Sequence, residues 1–345
     1  MDSPLTLAMA TKSAEKKYRY GLFIGAVAII LLALTSVCVG ARSIPLATTI
    51  EALRHFDPTN SEHLLVHWVR LPRTILAVVV GIALGGAGAL MQALTRNPLA
   101  DPGILGVNAG AMVGIVSAIS LFGFTDINQY LWFGMLGAAV AGALVYVLSS
   151  VYRSLSPVRL ILAGAAVSVV LLALTQIITI NSSEEVFDQF RHWAVGSLQG
   201  RGFDVVGLTT AMILITAIVA LNLSRLLDVL ALGEDLGRAL GINARWVWFI
   251  VCSCVVVLSS AASAAAGPIS FIGLTAPHIA RFLVGPGHRW LLPYSMMISA
   301  ILLLGADVAG RLIGAPGEVS VGIMVTLLGG PVFIILVRRW KLVQL

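Results

Sequence analysis

Residues 72–94 read PRTILAVVVGIALGGAGALMQAL, an apolar run whose only charge, Arg73, stands at its start. A helix of this length is about 34 Å long, enough to cross a hydrocarbon core of about 30 Å. The run does not alternate every second residue, which excludes a strand of an outer-membrane barrel. Gly81, Gly85, Gly86 and Gly88 lie within it. Small residues at such spacing let neighbouring membrane helices approach closely. The stretch reads as a buried transmembrane helix inside a bundle.

The rest of the chain repeats the pattern. Apolar runs fall near 20–40, 72–94, 103–122, 130–151, 160–180, 204–223, 246–266, 268–284, 291–308 and 319–337, which is ten. Of 345 residues, 58% are hydrophobic and 11% charged. Ordinary soluble domains carry about 25% charged residues. A soluble enzyme, a disordered chain and a single-anchor receptor are therefore excluded. The expected architecture is an all-α integral membrane protein with about ten transmembrane helices. It divides into an N-terminal tail over 1–19, one polytopic domain over 20–340 and a tail over 341–345. The longest polar stretches are about 41–70, 181–203 and 224–245.

Charge orients the bundle. With the N-terminus inside, inner segments hold fifteen of the 22 Lys and Arg residues, and outer segments hold seven. Basic excess marks the cytoplasmic side, so both termini are predicted to lie inside. This placement accounts for the net charge of +6 without nucleic acid as a partner. Two runs are followed by proline and glycine breaks, Asn97–Gly103 and Gly267–Pro277. Irregular backbone at membrane depth occurs where protein or water surrounds it, and paired breaks suggest two inverted halves.

Catalytic chemistry is missing from the pattern. No phosphate-binding G-x-x-x-x-G-K-[ST] loop, H-E-x-x-H or G-x-S-x-G occurs. Cys38, Cys252 and Cys254 lie in apolar runs and read as core residues. His63 and His67 read as a solvated outer pair, and Asp307 with Arg311 as an i,i+4 pair at a helix end. No metal site is expected. Scarcity of intramembrane ionisable groups argues against ion-coupled transport.

Three long motifs then carry a resemblance. They are Arg70–Arg73 with Gly85–Gln92 and Asn97–Gly110; Gly267–Leu274 with Ala276–Arg281 and Gly285–Pro293; and Gly305–Arg311 with Gly329–Pro331 and Arg338–Arg339. Together they resemble the permease family of iron-siderophore, haem and vitamin B12 importers, the membrane subunits of type II ABC importers. The resemblance implies ten helices per subunit and a second permease subunit, either a paralogue or a copy. It also implies two ATP-binding cassette ATPases, and a periplasmic or lipid-anchored binding protein outside. ATP and magnesium would belong to the ATPase, with no cofactor on this chain. Ser156–Leu160 and Phe187–Leu198 most resemble the ferric-enterobactin branch, so the expected cargo is a ferric catecholate siderophore. Haem or cobalamin import by a homodimer remains the alternative within the family. An ion-coupled secondary transporter and a membrane-embedded enzyme are the alternatives outside it.

The resemblance also implies residue roles. Arg70, Arg73 and Arg311, at outer helix ends, would dock the binding protein through its glutamates. The segment 224–245, with Leu232, Gly233, Glu234, Arg238, Leu240 and Gly241, would hold the helix that seats on the ATPase. Asn97, Leu99, Ser156 and Pro157 would form the cytoplasmic gate. Ser168, Thr175, Gln176 and Thr179 would line the pathway. The acidic outer group Glu184, Glu185 and Asp188 has no assigned role.

Overall fold

The computed structural model describes residues 4–40, 42–150 and 157–339, and those residues form helices and connecting turns with no strand among them. In chain order the helices are α1 (Pro4–Cys38), α2 (Leu46–Arg54), α3 (Ser61–Leu65), α4 (Leu71–Thr95), α5 (Val107–Phe122), α6 (Ile127–Ser150) and α7 (Pro157–Ile180). They continue with α8 (Glu184–Ala194), α9 (Phe203–Ala231), α10 (Glu234–Ala239), α11 (Ala244–Ala266), α12 (Ile272–Val284), α13 (His288–Ile313) and α14 (Val321–Arg339). Among the described residues, seven helices are long and apolar enough to cross a membrane, and three shorter apolar ones, within α5, α12 and α14, bring the number to ten. Each of the ten predicted runs coincides with one of them.

The helix α4 sits at the centre. Its span is 83% buried, against 17% for the spans in α1 and α7. Its glycines explain this. A Cβ at Gly81 would stand 2.5 Å from Ala300 Cα, and one at Gly85 2.3 Å from Ser295 O, both on α13. A Cβ at Gly88 would stand 1.8 Å from Gly273 O on α12. Backbone-to-backbone approach of this kind is available only to glycine, and van der Waals contact replaces the hydrophobic drive that lipid cannot supply. Upstream, α3 runs into α4 through a π-turn at Val66–Arg70. Pro72 follows at the start of α4. Proline offers no N–H and crowds the carbonyl one turn back, which the widened turn relieves.

Two helices begin inside the bundle. At 16 and 13 residues, α5 and α12 are too short to span alone. Each follows an interruption of the α-helix, with a short 3-10 turn at Pro102–Leu105 in the first, and each is preceded by a residue with positive φ, Gly106 at 72° and Phe271 at 67°. The two breaks meet: Pro102 Cδ lies 3.2 Å from a Cβ built on Gly273, and Ser263 Oγ bonds Asn108 Oδ1 at 2.8 Å. Protein thus surrounds both irregular segments, and the paired arrangement supports the reading of two inverted halves.

Contacts sort the loops into two ends. At one end Glu15 pairs with Arg289 at 2.8 Å, His288 Nδ1 meets Asp228 at 2.8 Å, and Arg96 donates to Leu230 O at 3.2 Å. At the other, Val37–Val39, Arg70, Arg73, Asp307, Arg311, Glu318 and Gln199 converge. The first is the basic, inner end. The N-terminal segment is helical from Pro4, and Tyr294 Oη donates to Tyr18 O at 2.8 Å. The outer stretches are also ordered. Residues 41–70 contain α2 and α3. Residues 181–203 contain α8, whose Trp193 is buried and donates to Ala264 O at 3.2 Å.

Candidate functional site

The outer end is built on an ion cluster. Arg73 on α4 grips Asp307 on α13 with its fork: Nε lies 3.0 and 3.2 Å from the two carboxylate oxygens, and Nη2 lies 2.8 Å from Oδ1. Arg311 Nη2 takes Asp307 Oδ2 at 2.9 Å, and the Asp307 side chain is 0% exposed. The remaining nitrogen of Arg73, Nη1, bonds Glu318 Oε2, which also accepts from Gln199 Nε2. Burial raises the Glu318 carboxyl, but the hydrogen bonds from Arg73 and Gln199 overcome this and hold it below its usual value of 4.5.

Two further guanidinium groups cap α1. Arg70 Nη1 donates to Val37 O at 3.0 Å and Cys38 O at 2.8 Å, and Nη2 reaches Arg42 O. Arg311 Nη1 donates to Ser36 O at 2.7 Å and Val39 O at 2.6 Å. The last carbonyls of a helix lack intrahelical partners and carry partial negative charge, so cations are suited to them. Ser36 and Thr74 close the network with a hydroxyl contact of 2.7 Å.

Arg70, Arg73 and Arg311 lie at helix ends, where all three are buried and engaged within the subunit. Asp307 and Arg311 form the expected i,i+4 pair near the end of α13, and this pair is the buried centre of the cluster. Residues Glu318 and Gln199 were missed, because nothing in the spacing brings 318 or 199 to 73. Between the same residues lies a cavity of about 180 Å³, lined by Gly40, Arg42, Leu65, Val69, Arg70, Arg73, Arg311 and Glu318. Four arginines line it against one glutamate, with Asp307 behind.

The histidines are also reassigned. His63 is buried, with Nδ1 accepting from Asp57 N at 3.2 Å, and His67 stacks among Phe56, Trp68 and Phe203. They are packing residues of the outer end, not a solvated pair. Glu184 and Glu185 lie in the first turn of α8, where acids complement the helix dipole, and Asp188 pairs with Arg191 at 3.0 Å.

The inner end carries α10 within 224–245, as the sequence implied. Gly233 at φ 124° and Gly241 at φ 77° bound it, and a Cβ at either would meet nothing within 4 Å. Glycine is required there by conformation rather than space. Leu236 on α10 is 45% exposed, and Leu232 and Leu240, which flank the helix, are 73% and 63% exposed. Leu236 was not singled out from the sequence. Arg238 is exposed beside Asp235 at 3.6 Å, and Glu234 opens the helix.

Of the gate residues, Asn97 Oδ1 accepts from Leu99 N at 2.9 Å, closing a turn that Arg96 enters at φ 49°. Pro157 begins α7, and Ser156 lies outside the described residues. The break after Asn97 packs on α7, where a Cβ at Gly164 would stand 1.7 Å from Ile104 O.

The four pathway candidates split. Thr175 is buried and donates to Leu171 O at 2.9 Å, Thr179 donates to Thr175 O at 2.7 Å, and Ser168 Oγ lies 3.4 Å from a Cβ built on Gly106. These three share the packed face of α7. Gln176 alone points to the exposed face, among Val169, Val170, Leu172 and Ile177.

A match to the FecCD transport family runs over residues 28–339. The chain belongs to the FecCD transport family. It is 44% identical over 314 residues to the ferric enterobactin transport system permease protein FepD of Escherichia coli, covering 90% of this chain and 92% of that one. Identity is 40% over 337 residues to the "Probable siderophore transport system permease protein YfiZ" of Bacillus subtilis, covering 96% and 99%. It is 36% over 319 residues to the hemin transport system permease protein HmuU of Yersinia pestis, covering 91% and 93%. A solved inward-facing chain of a metal-chelate type ABC transporter superposes with TM-score 0.81 at 29% identity, covering 94% of this chain and 100% of that one. The protein is thus a multi-pass permease subunit of the inner membrane, of the ABC importer fold.

Proposed function

We propose that this FecCD-family permease imports a ferric siderophore, of the catecholate type, as one half of a paired permease driven by two partner ATPases. The exposed leucines on and beside α10 carry the coupling part of this reading. Three exposed leucines, Leu236 on this six-residue helix and Leu232 and Leu240 at its two ends, cost hydration free energy unless a partner covers them, and they stand at the basic, inner end where an ATPase would bind. ATP and Mg2+ belong to that partner, and this chain supplies a path. The substrate rests on similarity: the 44% identical relative carries ferric enterobactin in its name. The open face of α7 suits a bulky chelate, since Gln176 offers hydrogen bonds without a fixed charge.

At the outer end, the arginine-lined cavity is the place where a periplasmic or lipid-anchored binding protein would dock. Arg70, Arg73 and Arg311 form its floor. The gate reading keeps Asn97 and Leu99 at the stiff turn after α4, and assigns Ser156 and Pro157 to the same gate.

The test is uptake into liposomes containing the chain, its ATPase and its binding protein, with and without a paralogous permease. Ferric catecholate, ferric hydroxamate, haem and cobalamin are offered in turn. Catecholate uptake only with the paralogue is the expected result. Haem or cobalamin uptake by the single permease would overturn both substrate and stoichiometry.

A further inference from the structure

The outer cavity has more positive charge than its own carboxylates neutralise. Arg42, Arg70, Arg73 and Arg311 line it, and Glu318 and Asp307 oppose them, leaving a surplus of two. The two carboxylates are held very differently. Asp307 receives the whole fork of Arg73 and a second arginine, with its side chain 0% exposed. Bidentate, doubly paired and dry, it is fixed in place. Glu318 is 16% exposed, lines the cavity, and takes a single Arg73 nitrogen through one oxygen that it shares with Gln199. It sits in the loop between α13 and α14, whose neighbouring Val319 packs against the core and donates its N–H to Gly310 O at 3.1 Å.

We propose that Glu318 is an internal plug, a carboxylate of the chain's own that occupies Arg73 until a carboxylate of the docking partner enters the cavity and displaces it. The inference rests on the docking reading above and deepens it. The partner chemistry is an acidic side chain, since a cavity with surplus guanidinium favours a carboxylate geometrically as well as by charge. Displacement frees Gln199 and the α13–α14 loop together. Docking would therefore loosen the contact between that loop and the α8–α9 loop at the outer mouth.

The consequence is inverted relative to an ordinary salt-bridge residue: removing Glu318 should strengthen an interaction. In the full transporter held in nanodiscs, E318Q is expected to tighten binding-protein association about three- to fivefold, mainly through slower dissociation, the range of a partly exposed pair. E185Q, which makes the same change in net charge on α8 away from the cavity, is the control and is expected to leave dissociation unchanged. Unchanged or weaker docking by E318Q, or equal tightening by E185Q, overturns the plug. Should E318Q fail to assemble, Q199L removes the second hydrogen bond to the same oxygen, and tightening in the same direction is expected, with none overturning the proposal. Absence of docking by the wild-type chain would overturn the underlying docking reading, and the plug with it. Docking of the wild type without a response in the variants would overturn the plug alone.

Discussion

At the scale of single residues, Asp307 governs the outer end. It neutralises two buried arginines, so removing its charge leaves both uncompensated. Breaking a buried pair in this way costs about 3–5 kcal/mol. D307N is expected to lower the thermal unfolding midpoint of the purified chain sharply. R73K should do so as well, since an ammonium cannot reproduce the fork that meets Asp307 and Glu318 together. An unchanged midpoint in either variant would contradict the cluster. Glu318 gives a pH signature. Its folded value lies below the usual 4.5, so its contribution is complete at neutral pH and is lost only as pH falls through that depressed value. The midpoint should be insensitive to this group between about pH 7 and 5, and the acid loss should be smaller in E318Q. Equal acid loss in both proteins would remove Glu318 from the account. None of this was legible in the sequence beyond Asp307 with Arg311. The partners Arg73 and Glu318 come from positions 234 residues before Asp307 and 245 residues apart from each other, and only folding brings them together.

At the scale of elements, the helices were readable because the membrane imposes a length and an apolar composition on each of them. The small-residue pattern in α4 was readable for the same reason, and it makes a graded prediction. G85A places a methyl 2.3 Å from Ser295 O, whereas a Cβ at Gly305 meets nothing within 4 Å. G85A is expected to cost about 1–3 kcal/mol through overpacking. G305A should be neutral or slightly stabilising. The reverse order in thermal unfolding would contradict the α4–α13 packing. Less readable were the faces of α7. Ser168, Thr175 and Thr179 are polar, but their hydroxyls serve neighbouring backbone or packed contacts. Polarity alone does not tell a lined path from a satisfied helix face. In α10, glycine punctuation marked the element, and Leu236, the helix's own leucine, lies midway between Leu232 and Leu240, which flank it. Because Leu236 is exposed, L236D is expected to change the stability of the isolated chain by no more than about 0.5 kcal/mol. It should nevertheless reduce ATP hydrolysis stimulated by the loaded binding protein. Normal stimulation would argue that α10 is an uncovered loop.

At the scale of the whole molecule, two ends with different chemistry are joined by one buried helix. The outer end is ionic and the inner end presents leucines. Between them α4 runs through close glycine contacts with α12 and α13, and the two interruptions meet beside it. Interfaces packed this tightly move as bodies rather than deform. On the proposed function, an event at either end would be transmitted by tilting of packed helices, without an ionisable relay across the membrane. Transport powered by a partner is the central claim, and energy coupling tests it most directly. The measurement is radio-iron uptake from a ferric siderophore into proteoliposomes of the assembled transporter. It is made with ATP or a non-hydrolysable analogue inside, and with proton and sodium gradients present or collapsed. The account predicts uptake that requires hydrolysable ATP and persists when both gradients are gone. Uptake that follows a gradient and proceeds without the ATPase would contradict it.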